Sequence, residues 1–138
     1  TRRSSDLGQM IILDTHIWIW NVQGDPRLSI THAELIQANE SGRIGVSAVS
    51  LWEVAKAVEL KRLVLPVSVD DWFNIALASP GVEVIPLSAD VAVESTRLPG
   101  DFHKDPFDQI IVATARVFNV PLLTADGAIL KYPHVKLA

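Results

Sequence analysis

A chain of 138 residues, 49% hydrophobic and 20% charged, has the length and core material of one compact domain and lacks the composition of a disordered segment. Without cysteine it has no disulfide staples, thiolate metal sites or cysteine nucleophiles, so its chemistry must come from oxygen and nitrogen groups. A net charge of −4 argues against holding nucleic acid by bulk charge, although acids gathered around a divalent cation would reverse the local sign.

In chain order, Thr1 to Gln9 is polar and aperiodic and Met10 is the sole methionine. Residues 1–9 therefore read as a flexible extension or cloning remnant, with Met10 as the natural start. Met10-Ile-Ile-Leu13 is an apolar run ending at Asp14, the pattern of a strand buried on both faces. A helix carrying Ile17, Trp18 and Trp20 follows and breaks at Gly24-Asp25-Pro26. Ser29 caps a second helix running to about Glu40, with Ser41-Gly42 as its stop, and Ile44 to Ser47 reads as the second strand. From about Ser50 to Leu60, Leu51, Val54, Ala55 and Val58 fall at helical spacing. Leu63 to Pro66 is extended, Asp70 to Ala78 helical, and Val82 to Ile85, after Pro80-Gly81, a strand. Ser88 caps a helix to about Leu98, and Pro99-Gly100-Asp101 makes a loop. Asp105-Pro106 opens a helix whose body, Ile110 to Ala115, is apolar nearly all round and hence central. Pro121 to Thr124 returns as a strand, Asp126-Gly127 turns, and Val135 to Leu137 is expected to form a short edge strand.

Strands alternating with helices imply βαβ crossovers, and so an α/β fold: a three-layer α/β/α sandwich on a mostly parallel sheet. Ligands of such sheets collect at the carboxyl ends of the strands, where Asp14 and Asp126 are both expected. The longest apolar stretches are broken by Asp14, Glu53, Lys56 or Asp108 well before bilayer length, and no signal peptide pattern is present. A cytoplasmic protein with no membrane contact is expected.

The acids admit structural as well as chemical readings. Asp14 suits a helix N-cap as readily as a site carboxylate. Glu53 has Val49 and Ala57 as its helical neighbours, a poorly hydrated setting, against which a surface pair with Lys56 is worth only about 0.2–0.5 kcal/mol. In Asp105-Pro-Phe-Asp108, capping accounts for Asp105 but less well for Asp108, because an N3 residue that reaches back is normally Glu or Gln. Asp126-Gly127 is an ordinary turn pair, unless the parallel sheet brings it to the edge that holds Asp14. Together these hard oxygen donors suit Mg²⁺ or Mn²⁺ and the hydrolysis of phosphodiesters. His16 and His103 are read as hydrogen-bonding groups without a catalytic role, Trp18, Trp20, Trp52 and Trp72 as core or subunit contacts, and Lys56, Lys61, Arg62, Arg97 and Lys104 as solvated surface.

Ile12-Leu-Asp14-Thr-His, Ser50-Leu-Trp-Glu53-Val-Ala, Asp105-Pro-Phe-Asp108-Gln-Ile-Ile-Val-Ala-Thr-Ala115 and Leu123-Thr124-Ala-Asp126 together resemble the PIN domain. More narrowly, the chain is similar to the VapC toxins of bacterial and archaeal toxin–antitoxin pairs, over residues 10–138 as one nuclease domain. The resemblance implies an endoribonuclease using Mg²⁺ or Mn²⁺, with Asp14, Glu53, Asp108 and Asp126 as its acidic quartet and Asp105 and Thr124 at accessory positions. It also implies a homodimer and a small VapB-like antitoxin whose C-terminal segment enters the acidic groove. The competing readings are a noncatalytic protein-interaction module and a DNA nuclease or phosphatase with a similar acidic site.

Overall fold

Four parallel strands, β1 (Met10–Leu13), β2 (Arg43–Ser47), β3 (Val82–Ile85) and β4 (Leu122–Leu123), lie side by side in the order β3-β2-β1-β4. The structure is a computed structural model and describes residues 9–138. The expected extension over 1–9 therefore falls, apart from Gln9, outside the described residues. Between β1 and β2 run α1 (Thr15–Gln23) and α2 (Ile30–Ala38); between β2 and β3, α3 (Ala48–Glu59) and α4 (Val69–Leu77). Helices α5 (Ala89–Ser95) and α6 (Pro106–Phe118) lead to β4, and α7 (Gly127–Leu130) follows it. None of these helices is long and apolar enough to cross a membrane.

Successive side chains of a strand point to opposite faces, which explains why β1 is apolar at every position. Ile11 and Leu13 pack with Trp18 of α1, Ile36 of α2 and Trp72 of α4, while Met10 and Ile12 pack with Ile111, Val112 and Ala115 of α6. The sheet is thus the middle of three layers, as expected. Trp18 and Trp72 meet edge to face at 5.1 Å, and Trp72 donates its Nε1 proton to Gln23 Oε1, so both rings are core groups.

The register levels the strand ends. Leu13 stands opposite Val46 of β2 and Leu123 of β4, so Asp14, Ser47 and Thr124 leave the sheet along one edge. The chain moves from β1 to β2 on one side and arrives at β4 on the other, so helices diverge from this edge and leave a crevice there.

Several local expectations are corrected. Helix α3 begins at Ala48, two residues before the expected Ser50, because Ser47 Oγ accepts from the Val49 amide. Helix α5 stops at Ser95 rather than Leu98, where Ser95 and Thr96 turn their hydroxyls back onto the carbonyls of Ala92 and Val93. Leu63 to Pro66, expected to be extended, is neither helix nor strand and does not conflict with that reading. Val135 to Leu137 is no strand either: β4 is two residues long, and the pairing is a single bridge between Leu122 and Leu137. Asp126-Gly127 is not a free turn, because Asp126 caps α7.

Gly81 starts β3 by accepting a hydrogen bond from the Ile44 amide, with φ at +80°. A Cβ there would sit 2.9 Å from the carbonyl oxygens of both Asn39 and Glu40, backbone atoms that cannot swing aside. Gly81→Ala is expected to cost about 1–3 kcal/mol, measured by thermal denaturation; an unchanged melting temperature would show that the turn relaxes without strain.

Candidate active site

Two threonines organise the crevice. Asp14, 5% exposed, accepts from the Thr15 amide on Oδ1 (2.9 Å) and from Thr124 Oγ1 on Oδ2 (2.7 Å). The second bond spans adjacent strands and 110 residues of sequence. Thr124 Oγ1 also accepts from the Asp126 amide at 3.0 Å, so one hydroxyl fixes Asp14 and sets the start of the segment that carries Asp126. Thr15 Oγ1 donates to Glu53 Oε1 at 2.7 Å and lies 2.7 Å from Ser50 Oγ. Since Thr15 has one hydroxyl proton and gives it to Glu53, Ser50 must donate to Thr15. Glu53 is thereby tied to the end of β1, and the surface pair with Lys56 does not form: Lys56 Nζ meets Glu59 Oε1 at 2.5 Å.

The remaining acids arrive as helix caps. Asp105 Oδ1 accepts from the amides of Phe107 (2.9 Å) and Asp108 (3.3 Å), as its N-cap reading requires, with Pro106 at the first helical position. Asp126 Oδ1 accepts from the amides of Ala128 (2.9 Å) and Ile129 (3.1 Å), leaving Oδ2 outside the cap. Asp108, in the first turn of α6, makes no such bond. Its nearest partner is His103, whose Nε2 lies 3.1 Å from Asp108 Oδ2, too poorly aligned for a hydrogen bond.

The four acids of the expected quartet and Asp105 thus share one crevice. Asp108 records this most directly: burial first, then the charges of Asp105, Asp14, Asp126 and Glu53, push its carboxyl up from 3.8 to about 7. Burial also raises Asp14, against the opposing hydrogen bonds from Thr124 and Thr15. Glu53 is raised by burial too, opposed by Thr15 and reinforced by the charges of Asp14 and Asp105. The charge of His16 opposes this at Asp14 and Glu53 but is outweighed by burial at both.

The side chains present fit a hard divalent cation. One ligand atom from each of His103, Asp108 and Asp126 lies within 4.8 Å of the others, His103 Nε2 is a buried nitrogen without a hydrogen-bond partner, and Asp126 Oδ2 lies outside its cap.

His103, read from the sequence as a loop group, stands inside the cluster; nothing in its local pattern distinguishes it from other loop histidines. Thr15 and Ser50 were also missed as anchors, although both adjoin a site acid at helical or sequential spacing. His16 is exposed, with its ring 6.0 Å from that of Trp20, and lies near enough to Asp14 and Glu53 for its charge to lower the pKa of both. Lys104 and Arg97 are exposed, in keeping with a solvated surface.

Comparison with known proteins agrees with the geometry. A family profile described as the PIN domain matches residues 11–135. Ribonuclease VapC22 of Mycobacterium tuberculosis is 28% identical over 124 residues, which are 90% of this chain and 92% of that protein. Among solved structures, VapBC2 from Rickettsia felis, bound to a DNA fragment from its promoter, superposes with a TM-score of 0.70 at 18% identity. The match covers 94% of this chain and 98% of that one. DNA-bound VapBC from Salmonella typhimurium gives 0.70 at 17% identity, covering 94% and 97%. At such identities the structural likeness speaks for the fold.

Proposed function

The chain belongs to the PIN domain family, and from that premise we propose that it is a metal-dependent endoribonuclease, the toxin of a toxin–antitoxin pair. The observation that carries this reading is the gathering of Asp14, Glu53, Asp105, Asp108 and Asp126 at one sheet edge, where burial and then the neighbouring charges hold Asp108 at about 7. Acids kept together at such cost are accounted for by a cation, which Asp14, Glu53, Asp108 and Asp126 would hold with Thr124 and Asp105 as accessory groups. A bound Mg²⁺ or Mn²⁺ supplies hydroxide at neutral pH and screens the charge that develops on a phosphate. The chain's own residues set the geometry. Thr124 and Thr15 lock both oxygens of Asp14, and Thr15 fixes Glu53 Oε1, leaving Oε2 to accept a proton from water.

The ribonuclease name of the Mycobacterium tuberculosis relative supports RNA as substrate, and the complexes of the solved relatives support a VapB-like antitoxin as partner. A homodimer, and a place in the cytoplasm with RNA at hand, belong to the same proposal. Exposed Ile30, Val64 and Ile75 offer apolar surface that a protein partner would cover.

Offered single-stranded RNA, DNA of the same sequence and p-nitrophenyl phosphate, the protein is expected to cut RNA in millimolar Mn²⁺ or Mg²⁺ and to stop when EDTA is added. Equal turnover of DNA would make it a general nuclease, and turnover of the monoester a phosphatase. Cleavage that survives EDTA would remove the cation from the mechanism, and no cleavage of any substrate would leave a noncatalytic interaction module.

A further inference from the structure

Beside the acidic crevice lies a second feature that the cleavage chemistry leaves unused. Trp52 on α3 is 52% exposed, unlike the core residues Trp18 and Trp72. Its ring stacks on Phe107 of α6, with centroids 5.0 Å apart and planes 24° from parallel. Trp52 immediately precedes Glu53 and Phe107 immediately precedes Asp108, so the ring pair is flanked from both helices by carboxylates of the candidate site. Lys56 places its ammonium 5.8 Å from the Trp52 ring, and Arg62 completes a cleft of about 210 Å³ that Glu53 also lines. Lys56 shares its charge with Glu59, which holds it in place over the ring.

Burying a tryptophan normally removes a large apolar area from water, so an exposed one, already stacked and rimmed by cations, calls for an occupant. The lining is too charged for a purely apolar contact: two cations and a carboxylate stand around the rings together with Ala57 and Leu60. A flat π-surface with an adjacent ammonium and guanidinium matches a nucleobase and its phosphate, which stack and pair in this way without regard to base identity. We infer that Trp52, backed by Phe107 and rimmed by Lys56 and Arg62, is the subsite that stacks an unpaired base of the RNA next to the bond that is cut. The inference rests on the ribonuclease reading above and adds where the substrate strand leaves the acidic crevice.

The test uses a single-stranded RNA oligonucleotide that the wild-type protein cuts, and the same oligonucleotide made abasic at each nucleotide flanking the cut in turn. On the intact RNA, Trp52→Ala is expected to lower kcat/KM by about 5- to 150-fold, most of it through KM, with Trp52→Phe recovering much of the loss. One of the abasic RNAs should cost the wild type a similar factor and the Trp52→Ala variant nothing further. Equal kcat/KM for variant and wild type would overturn the subsite, as would a loss of the same size on intact and abasic RNA. A change of molecular mass of Trp52→Ala in light scattering would assign the ring to an interface between copies instead. A wild-type protein that cuts no RNA fails the ribonuclease reading and this inference together, whereas RNA cleavage indifferent to Trp52 fails the inference alone.

Discussion

Asp14→Asn is expected to slow RNA cleavage on the order of 10³-fold while the protein stays folded. Asp14 is nearly fully buried, and both its oxygens are engaged, by the Thr15 amide and the Thr124 hydroxyl. Asparagine keeps the shape and can still accept from Thr15. Its amide would face Thr124 Oγ1, a hydroxyl that already accepts from the Asp126 amide and has a second lone pair to offer. The frame therefore survives and the charge does not. Burial raises the Asp14 pKa, so removing that charge relieves a desolvated anion, while the buried Thr124 hydroxyl proton loses its acceptor; the two effects oppose each other and the melting temperature should change little. Single-turnover rates and circular-dichroism melts measure the two halves. A rate within tenfold of wild type would show that Asp14 is a cap and nothing more.

Asp108→Asn should raise the stability of the metal-free protein at neutral pH, a gain unusual for a change inside a partly buried polar site. Its carboxyl sits at about 7 in the folded chain against 3.8 for the free side chain. Between those values the native state holds a proton that the unfolded chain has released, so this group makes stability fall as pH rises. The penalty is absent below about pH 4 and complete above about pH 7. Because Asp108 is partly open to solvent, its screened share is on the order of 1–2 kcal/mol rather than the full value of the shift. Asparagine forgoes the interaction of an ionised acid with the α6 N-terminus, about 0.3–1 kcal/mol, which is the smaller effect. The variant should thus melt higher than wild type at pH 7.5 and alike at pH 4, by calorimetry in EDTA. Millimolar Mn²⁺ should restore the wild type at pH 7.5 and do less for the variant. A variant less stable than wild type at pH 7.5 would mean that the crowding of acids is already relieved in the folded chain.

Much of this site was legible because its acids occupy positions where the local rules are strict. Asp14 follows a four-residue apolar run, and Asp105-Pro106 has the form of a helix start, so both were placed to the residue. Hydrophobic periodicity put the strands and the buried α6 in order, and alternation then required a parallel sheet. What stayed hidden depends on contacts between distant segments. Thr15 meets Ser50 across 35 residues and Glu53 across 38, and no local pattern encodes such pairs. His103 owes its place to the loop between α5 and α6, whose path follows from packing rather than spacing. Asp126 looked like half of a turn because Asp-Gly is commonly one; that a helix of four residues follows is decided by how Ile129 packs under α6 and β4.

The hydrogen bond from Thr124 to Asp14 also has a meaning in time. Its partners lie 110 residues apart and touch only when β4, the last of the four strands in chain order, has docked beside β1. On the ribosome, a nascent copy in which Asp126 is still inside the exit tunnel possesses Asp14, Glu53 and Asp108 but no closed crevice. On the proposed ribonuclease reading, the complete set of acids would therefore come together only after residue 126 has left the tunnel.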